Sequence, residues 1–394
     1  MGFAKRLLEE QDASGFRSGR YFDDVCKHCI GDPALAVFVS RIGLIAKCDF
    51  CGRINTRGMQ VGALFRYMAS CLHAEWEDPN NSVAGGLVPG PRIIDSDDLL
   101  DQHDQPFENE DIHWEFVRAF DHLWCQRNPY RLTHSDMLFL SWERFSEMTK
   151  TDRRYFWYRT QAPDNNDDDE LLDPAEVPDE VGRAIVRAGW RMLGRTTDRR
   201  ILRALAHDPS RQLRTADELG SPPSERAGNN RMSGAGISMF YGAETAKTAI
   251  TEIRPCPKMA ITVGSWSPSR ELVYVDLLAS QPIPSIFDMT ARGERPWLRF
   301  LAEFADDLAQ PIDPHISPIE YIPTQIMTEY IRDHLRTPDG GQIDAIRYPS
   351  SLDEPDGVCW VVFAKQDDCG DSTDITDSLL VLDANSIKRQ EPAA

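Results

Sequence analysis

Two patterns in the 394-residue chain gather residue types that do chemistry. Cys26 and Cys29 in "CKHC" and Cys48 and Cys51 in "CDFC" form two C-x-x-C knuckles. Four thiolates supplied by two tight turns satisfy a tetrahedral zinc ion, and an all-cysteine set leaves no position open for substrate, so such a metal holds structure. A redox C-x-x-C is ordinarily single, Gly52 suits the turn after the second pair, and His28 inside the first reads as solvent-facing. The second pattern is "NNRMSGAGISMFYGAETAKTAITEIRP", residues 229–255, which spaces Arg231, Tyr241 and Glu252 along a strand (236–241) and a helix (244–254). At 100° per residue Ala246, Ala249, Ile250 and Ile253 make one apolar stripe, while Thr245, Thr248 and Glu252 lie on another face. Glu252 is then spare to the core and points toward whatever the strand end presents. Each of the three also has an ordinary reading: a solvated glutamate, a half-buried packing tyrosine, a loop arginine. Spacing alone does not choose between them.

The elements that must position these residues differ along the chain. Helical spacing puts Val61, Leu64, Phe65, Met68 and Leu72 on one side of a helix, and 112–127 and 136–150 read as further helices. A mostly helical first domain is expected over 1–160, with the cysteine module at 26–51. "QAPDNNDDDELLDPAEVPDE" is acidic and proline-bearing, so 161–182 reads as a linker. Strands at 259–267, 272–278, 343–348 and 357–365 alternate with helices at 296–310 and 323–335, giving an α+β second domain over 183–385. Residues 386–394 read as a disordered tail.

Composition sets outer limits. A net charge of -20 opposes binding to nucleic-acid backbones, although 183–203 reads as a local basic patch. The chain has no run of eighteen apolar residues, and its start has neither a signal core nor a Ser or Thr at position 6 to suit myristoylation of Gly2. The five isolated cysteines (Cys71, Cys125, Cys256, Cys359, Cys369) suit a reducing compartment, so a cytoplasmic protein is expected. A Gly-rich dinucleotide fingerprint opening a helix is missing, which sets aside a Rossmann dehydrogenase.

"RMSGAGISMFYGAETAKTAITEIRP" resembles the signature of the RES domain, named for an Arg, a Glu and a Ser. "ELGSPPSERAGNNRMS" is similar to the variety of RES domain found behind a zinc-bearing helical segment, and residues 20 to about 160 resemble the HEPN/RES amino-terminal domain. RES domains resemble ADP-ribosyltransferases and break down NAD, typically as toxins held by an antitoxin partner. The resemblance therefore implies an ADP-ribosyltransferase-like mixed β-sheet, NAD as substrate and structural zinc. It makes Arg231, Tyr241 and Glu252 the motif residues, with the serine at Ser350 or Ser351, Ser351 preferred as catalytic and Ser350 as NAD-binding. Of Arg191 and Arg195 near the domain start, Arg195 aligns better as an NAD-binding arginine. The family often has Asn after Arg-Phe, where this chain has Met232 and Ser233.

Those residue types suit cleavage of the nicotinamide–ribose bond, which passes through an oxocarbenium-like state as glycoside hydrolysis does. A carboxylate such as Glu252 stabilises that cation, guanidinium forks match pyrophosphate oxygens, and Tyr241 is able to stack on nicotinamide. Hydrolysis, phosphorolysis and ADP-ribosylation of a target all stay open. Two other readings compete. A HEPN ribonuclease would use Arg118 with His122 or Arg127 with His134, and a non-enzymatic reading makes the first half a zinc-stapled adaptor.

Overall fold

The computed structural model of the protein describes residues 16, 18–79, 93–127, 131–159, 170–189, 192–278, 283–310, 317–353, 357–371 and 378–391. They form two compact units, one of residues up to 133 with 283–296, the other of residues 134–282 with 297 onward.

The first unit runs β1 (Asp24–Cys26), α1 (Pro33–Ile42), β2 (Leu44–Ala46), β3 (Thr56–Gln60), α2 (Val61–Leu72), β4 (Trp76–Glu77), α3 (Ser96–Asp101), α4 (Glu110–Ala119) and β5 (Cys125–Gln126). α1 starts where Asp32 accepts the Leu35 N–H and Pro33 fills the first turn. α2 buries Val61, Leu64, Phe65, Met68 and Leu72, the five positions its spacing predicts. The helix expected over 112–127 stops at Ala119, because Phe120 leaves helical geometry (φ -106°, ψ 52°). The Trp124 indole N–H then reaches Ser96 Oγ at 2.8 Å, and Trp124 bridges Ile94. Phe16, Phe65, Phe116 and Phe120 centre the core, which Ile286 and Phe287 join from the later segment. The Tyr67 hydroxyl fixes that segment by donating to the Phe287 carbonyl at 2.7 Å.

The second unit runs α5 (His134–Thr151), α6 (Val177–Ala188), β6 (Leu193–Thr196), β7 (Ile201–His207), α7 (Ala216–Leu219), β8 (Phe240–Ala243), α8 (Ala246–Glu252), β9 (Ala260–Pro268), β10 (Leu272–Asp276), α9 (Arg295–Ala309), α10 (Ser317–Glu320), α11 (Ile322–Asp333), β11 (Ala345–Pro349), β12 (Val358–Val362), β13 (Cys369–Asp371) and β14 (Leu380–Gln390). Nine strands make one mixed sheet in the order β13-β14-β9-β7-β8-β12-β11-β10-β6. β10–β11 and β13–β14 are parallel and the other pairs antiparallel. Helices α5, α6, α9 and α11 bring Trp142, Val181, Phe300, Phe304 and Met327 onto Val275, Ile346 and Val361 on one face. Strand alternation sends Phe240, Tyr274, Trp360 and Val362 to the other face, where α7 adds Ala216 and Leu219. Alternating burial is thus the α+β architecture expected from sequence.

Three expectations change. Of the 161–182 linker, 161–169 lies outside the described residues, while 177–182 begins α6 and buries Val177 and Val181. Of the 386–394 tail, residues up to Gln390 extend β14 and pair with β9, and 392–394 lie outside the described residues. The 183–203 basic patch is divided among α6, β6 and β7. Four of its arginines are separately engaged: Arg183 by Glu180, Arg187 over the Trp297 ring, Arg195 by Asp339 and Arg199 by Glu244. Among the described residues no helix is long and apolar enough to cross a membrane.

Phe304 is fully buried and meets the Trp142 ring edge-on at 4.9 Å. Phe304→Ala is expected to cost about 3–5 kcal/mol, read as a lower denaturant midpoint for the unit's unfolding transition.

Candidate functional site

The four knuckle cysteines meet at one point of the first unit. Their sulfurs all lie within 4.8 Å of one another, with Cys26–Cys51 at 3.6 Å, Cys29–Cys48 at 3.7 Å and Cys26–Cys29 at 4.0 Å. A tetrahedral ion with bonds of about 2.3 Å sets its sulfurs about 3.8 Å apart, so these spacings fit one. Gly52, at φ 71°, turns the second knuckle, and its N–H donates to the Cys48 carbonyl at 3.0 Å. Burial pushes the Cys26 and Cys29 thiols up. It opposes ionisation of Cys51 too, but the Arg53 backbone and the neighbouring thiols outweigh it and bring that thiol down to about 7. His28 is exposed. These four cysteines are able to bind a metal.

In the second unit, Glu252 at the end of α8 accepts the Ser350 hydroxyl at 2.5 Å. Thr245 caps α8 by accepting the Thr248 N–H. Ala246 is exposed and Thr248 buried, so the inward face is turned from the expected stripe toward Thr248 and Ala249. The turn comes from Asp353, whose carboxylate accepts the Thr248 hydroxyl at 2.8 Å and pairs with Lys247. Lys247 and Thr248 together hold the Asp353 carboxyl below its usual range. Ser350 itself is 2% exposed, and its oxygen accepts the Leu352 and Asp353 N–H groups. Of the two expected serines, Ser350 meets Glu252. Ser351 is partly exposed.

Tyr241 on β8, Val361 on β12 and Ile346 on β11 lie side by side in register, and Tyr348 stands opposite Cys359 one step along. Tyr348 is the shared neighbour of the expected residues. Burial, then Cys359, Glu252 and Tyr241, push its phenol well up, and Arg231 opposes them. Burial likewise raises Tyr241, whose hydroxyl lies 2.8 Å from Ser233 Oγ. Met232 plugs into the helical layer at 0% exposure, with Thr328 Oγ1 3.2 Å from its sulfur. The departure at Met232–Ser233 therefore has two local uses, a core anchor and a partner for Tyr241. Gln325 on α11 fixes the same loop through the Asn230 carbonyl at 2.7 Å.

Arg231 is committed differently from the sequence expectation. It donates to the Leu308 and Gln310 carbonyls at the end of α9, the second at 2.8 Å, and lies 5.7 Å from the Tyr321 ring centre. Orphan carbonyls and the negative end of a helix suit a cation there. Arg195 is not brought to the site. It is on the edge strand β6, four strands from β8 and so about 19 Å away at the usual strand spacing, bonded to Asp339 at 2.6 Å and Glu271 at 3.2 Å. Arg191 lies outside the described residues.

The arginine that β7 supplies instead is Arg203, which the sequence reading passed over as part of a basic run. It is 9% exposed, donates to the Tyr241 carbonyl at 2.6 Å and lies 5.2 Å from the Phe240 ring centre. Its Nε has no partner among the described residues, and burial pulls its pKa down to about 10. The available signal was "ILRALAH", a β-rich run carrying one charge. Tyr348 and Cys359 were also missed, because only strand register shows that they share a face.

An α+β chain with a four-cysteine cluster and a serine-braced glutamate beside a mixed sheet is the class these observations define. A family model described as RES domain matches residues 199–383, and one described as HEPN/RES N-terminal domain 1 matches residues 45–163. The chain belongs to the RES-domain proteins that carry a HEPN/RES amino-terminal domain. At the level of the family, the RES domain has a toxin-like, NAD-related role. A search of curated proteins finds no match to the chain.

Gly357 closes the loop that carries Ser350. A Cβ there would lie 2.5 Å from the Asp353 carbonyl and 2.7 Å from Ser350 Cβ. Gly357→Ala is expected to destabilise the unit by about 1–3 kcal/mol, seen as a lowered melting temperature.

Proposed function

We propose that the RES unit cleaves the nicotinamide–ribose bond of NAD. The Ser350–Glu252 hydrogen bond carries this reading, because it holds a carboxylate in one orientation, close enough to Tyr348 and Cys359 to push both groups up. As the carbon–nitrogen bond breaks, its electron pair leaves with nicotinamide and positive charge develops on the ribose. Glu252 faces that charge and stabilises it. Water or inorganic phosphate then bonds to the ribose carbon, the attacking water giving up its proton to the Glu252 carboxylate. Tyr241 and Tyr348 supply flat faces for the nicotinamide ring. Arg231, whose N–H groups are given to the α9 carbonyls, adds positive charge on the pyrophosphate's side without a fork contact, and Arg203 holds the backbone of Tyr241 while placing a buried positive charge behind it.

The same reading makes the cysteine cluster a zinc site that fixes the fold of its module, and the protein a cytoplasmic NAD-depleting toxin governed by an antitoxin. The Arg118–His122 form of the ribonuclease alternative loses support. Arg118 pairs with Glu115, and His122 lies beyond the end of α4.

Free nicotinamide released from NAD, with and without phosphate, is the deciding measurement. Native protein is expected to release it, and no release under either condition overturns the reading. Glu252→Ala is expected to lower the rate about 10²–10³-fold with little change in melting temperature. Ser350→Ala is expected to slow turnover, while Ser351→Ala leaves it near the native rate. Metal analysis is expected to find one zinc per chain, abolished in the Cys26→Ser, Cys48→Ser double variant.

A further inference from the structure

We propose that the free edge of β2 in the cysteine module is a docking strand for an extended, acidic, aliphatic-bearing segment of a partner protein. The three-stranded sheet β1-β3-β2 has two edges, and they are finished differently. Beside β1 lies Asp49 of the second knuckle. Its N–H donates to the Asp24 carbonyl and its carboxylate accepts the Asp24 N–H, both at 2.8 Å. The chain thus closes its own β1 edge.

Nothing comparable finishes β2 among the described residues. Leu44 is 79% and Ile45 70% exposed, and as neighbours along a strand they point to opposite faces. Ile42 and Ile54 are exposed as well. Edge strands are usually guarded by a charge, a proline or a bulge, because their unpaired N–H and C=O groups invite another strand. Leu44–Ile45–Ala46 is short at three residues but carries no charge, proline or bulge. Its position is nevertheless firm. A Cβ at Gly43 would lie 2.4 Å from the Val39 carbonyl oxygen and 2.5 Å from that of Gly58, so α1 enters β2 backbone against backbone.

Charge selects the occupant. Residues 41–57 expose Arg41, Lys47, Arg53 and Arg57, and their one carboxylate, Asp49, is engaged at β1. This cationic stretch belongs to a chain of net charge -20. Arg57 stands opposite Ile45 in the β2–β3 register and so shares its face. A second copy of the same edge would set this excess of cations against itself. A strand alternating aliphatic with acidic residues meets both features: the main chain pairs with β2, its apolar side chains cover Leu44 or Ile45, and its carboxylates meet the arginines.

The test pans a phage-displayed random dodecapeptide library on the full chain, with counter-selection on the Leu44→Glu, Ile45→Glu variant. Enriched sequences are expected to combine Asp or Glu with alternating Val, Ile or Leu. A fluorescein-labelled peptide of that sequence is expected to bind saturably by anisotropy, and to weaken about tenfold or more with Ile45→Glu and in high salt. Ile45 is exposed, so the Ile45→Glu melting temperature is expected to match native; Leu44→Glu is the second single variant if it does not. No enrichment, a neutral or basic consensus, or binding to the Ile45→Glu and Leu44→Glu variants as tight as to native protein overturns the proposal. So does a native dimer that Ile45→Glu dissociates, which would make a second copy the occupant. Polyuridine binding lost in Ile45→Glu would assign the edge to nucleic acid instead.

Discussion

The hydrogen bond from Ser350 to Glu252 joins positions 98 residues apart, and the remaining groups of the site are arranged around it. Each partner is braced on its own side. Glu252 ends a helix capped by Thr245 and tied through Thr248 to Asp353. Ser350 opens the loop that Asp353 and Gly357 close, the Ser350 N–H donating to the Gly357 carbonyl at 2.8 Å. Asp353 therefore serves both partners, through a side chain to the helix and a backbone to the loop. A carboxylate held this way changes little in geometry when charge develops beside it, which is where electrostatic catalysis gains its effect.

How much of this was legible depends on the range of the interaction. The α2 stripe and the cysteine knuckles were readable because helical period and tight-turn spacing are local. The phase of α8 was misjudged because Asp353, a century of residues away, draws Thr248 inward. β7 was hidden because Arg203 stands within a buried run, and a charge in that setting reads as surface until its partner, the Tyr241 carbonyl, is seen. Tyr348 and Cys359 needed the β11–β12 register. Arg231 was singled out by its motif, but its use as a helix-end cap depended on where α9 stops.

Each of the two units is built from two separate stretches of the chain. Residues 283–296 leave the second unit's run of sequence and complete the core of the first, with Ile286 and Phe287 buried there and the Arg295 side chain near Glu75 at 3.7 Å. The first unit is thus discontinuous in sequence. A fragment ending at residue 133 lacks part of its own interior, and a domain boundary drawn once along the chain misrepresents how it is made.

The grip of Arg231 on the end of α9 has a thermodynamic consequence. One guanidinium serves both the last carbonyls of a helix and the neighbourhood of Glu252 and Tyr348. An anion that draws it toward the site must loosen the helix end, and fraying of that end must in turn release the cation. Such linkage is reciprocal. Under the proposed NAD reading, the order of the α9 terminus and the hold on a pyrophosphate are one equilibrium seen from two places.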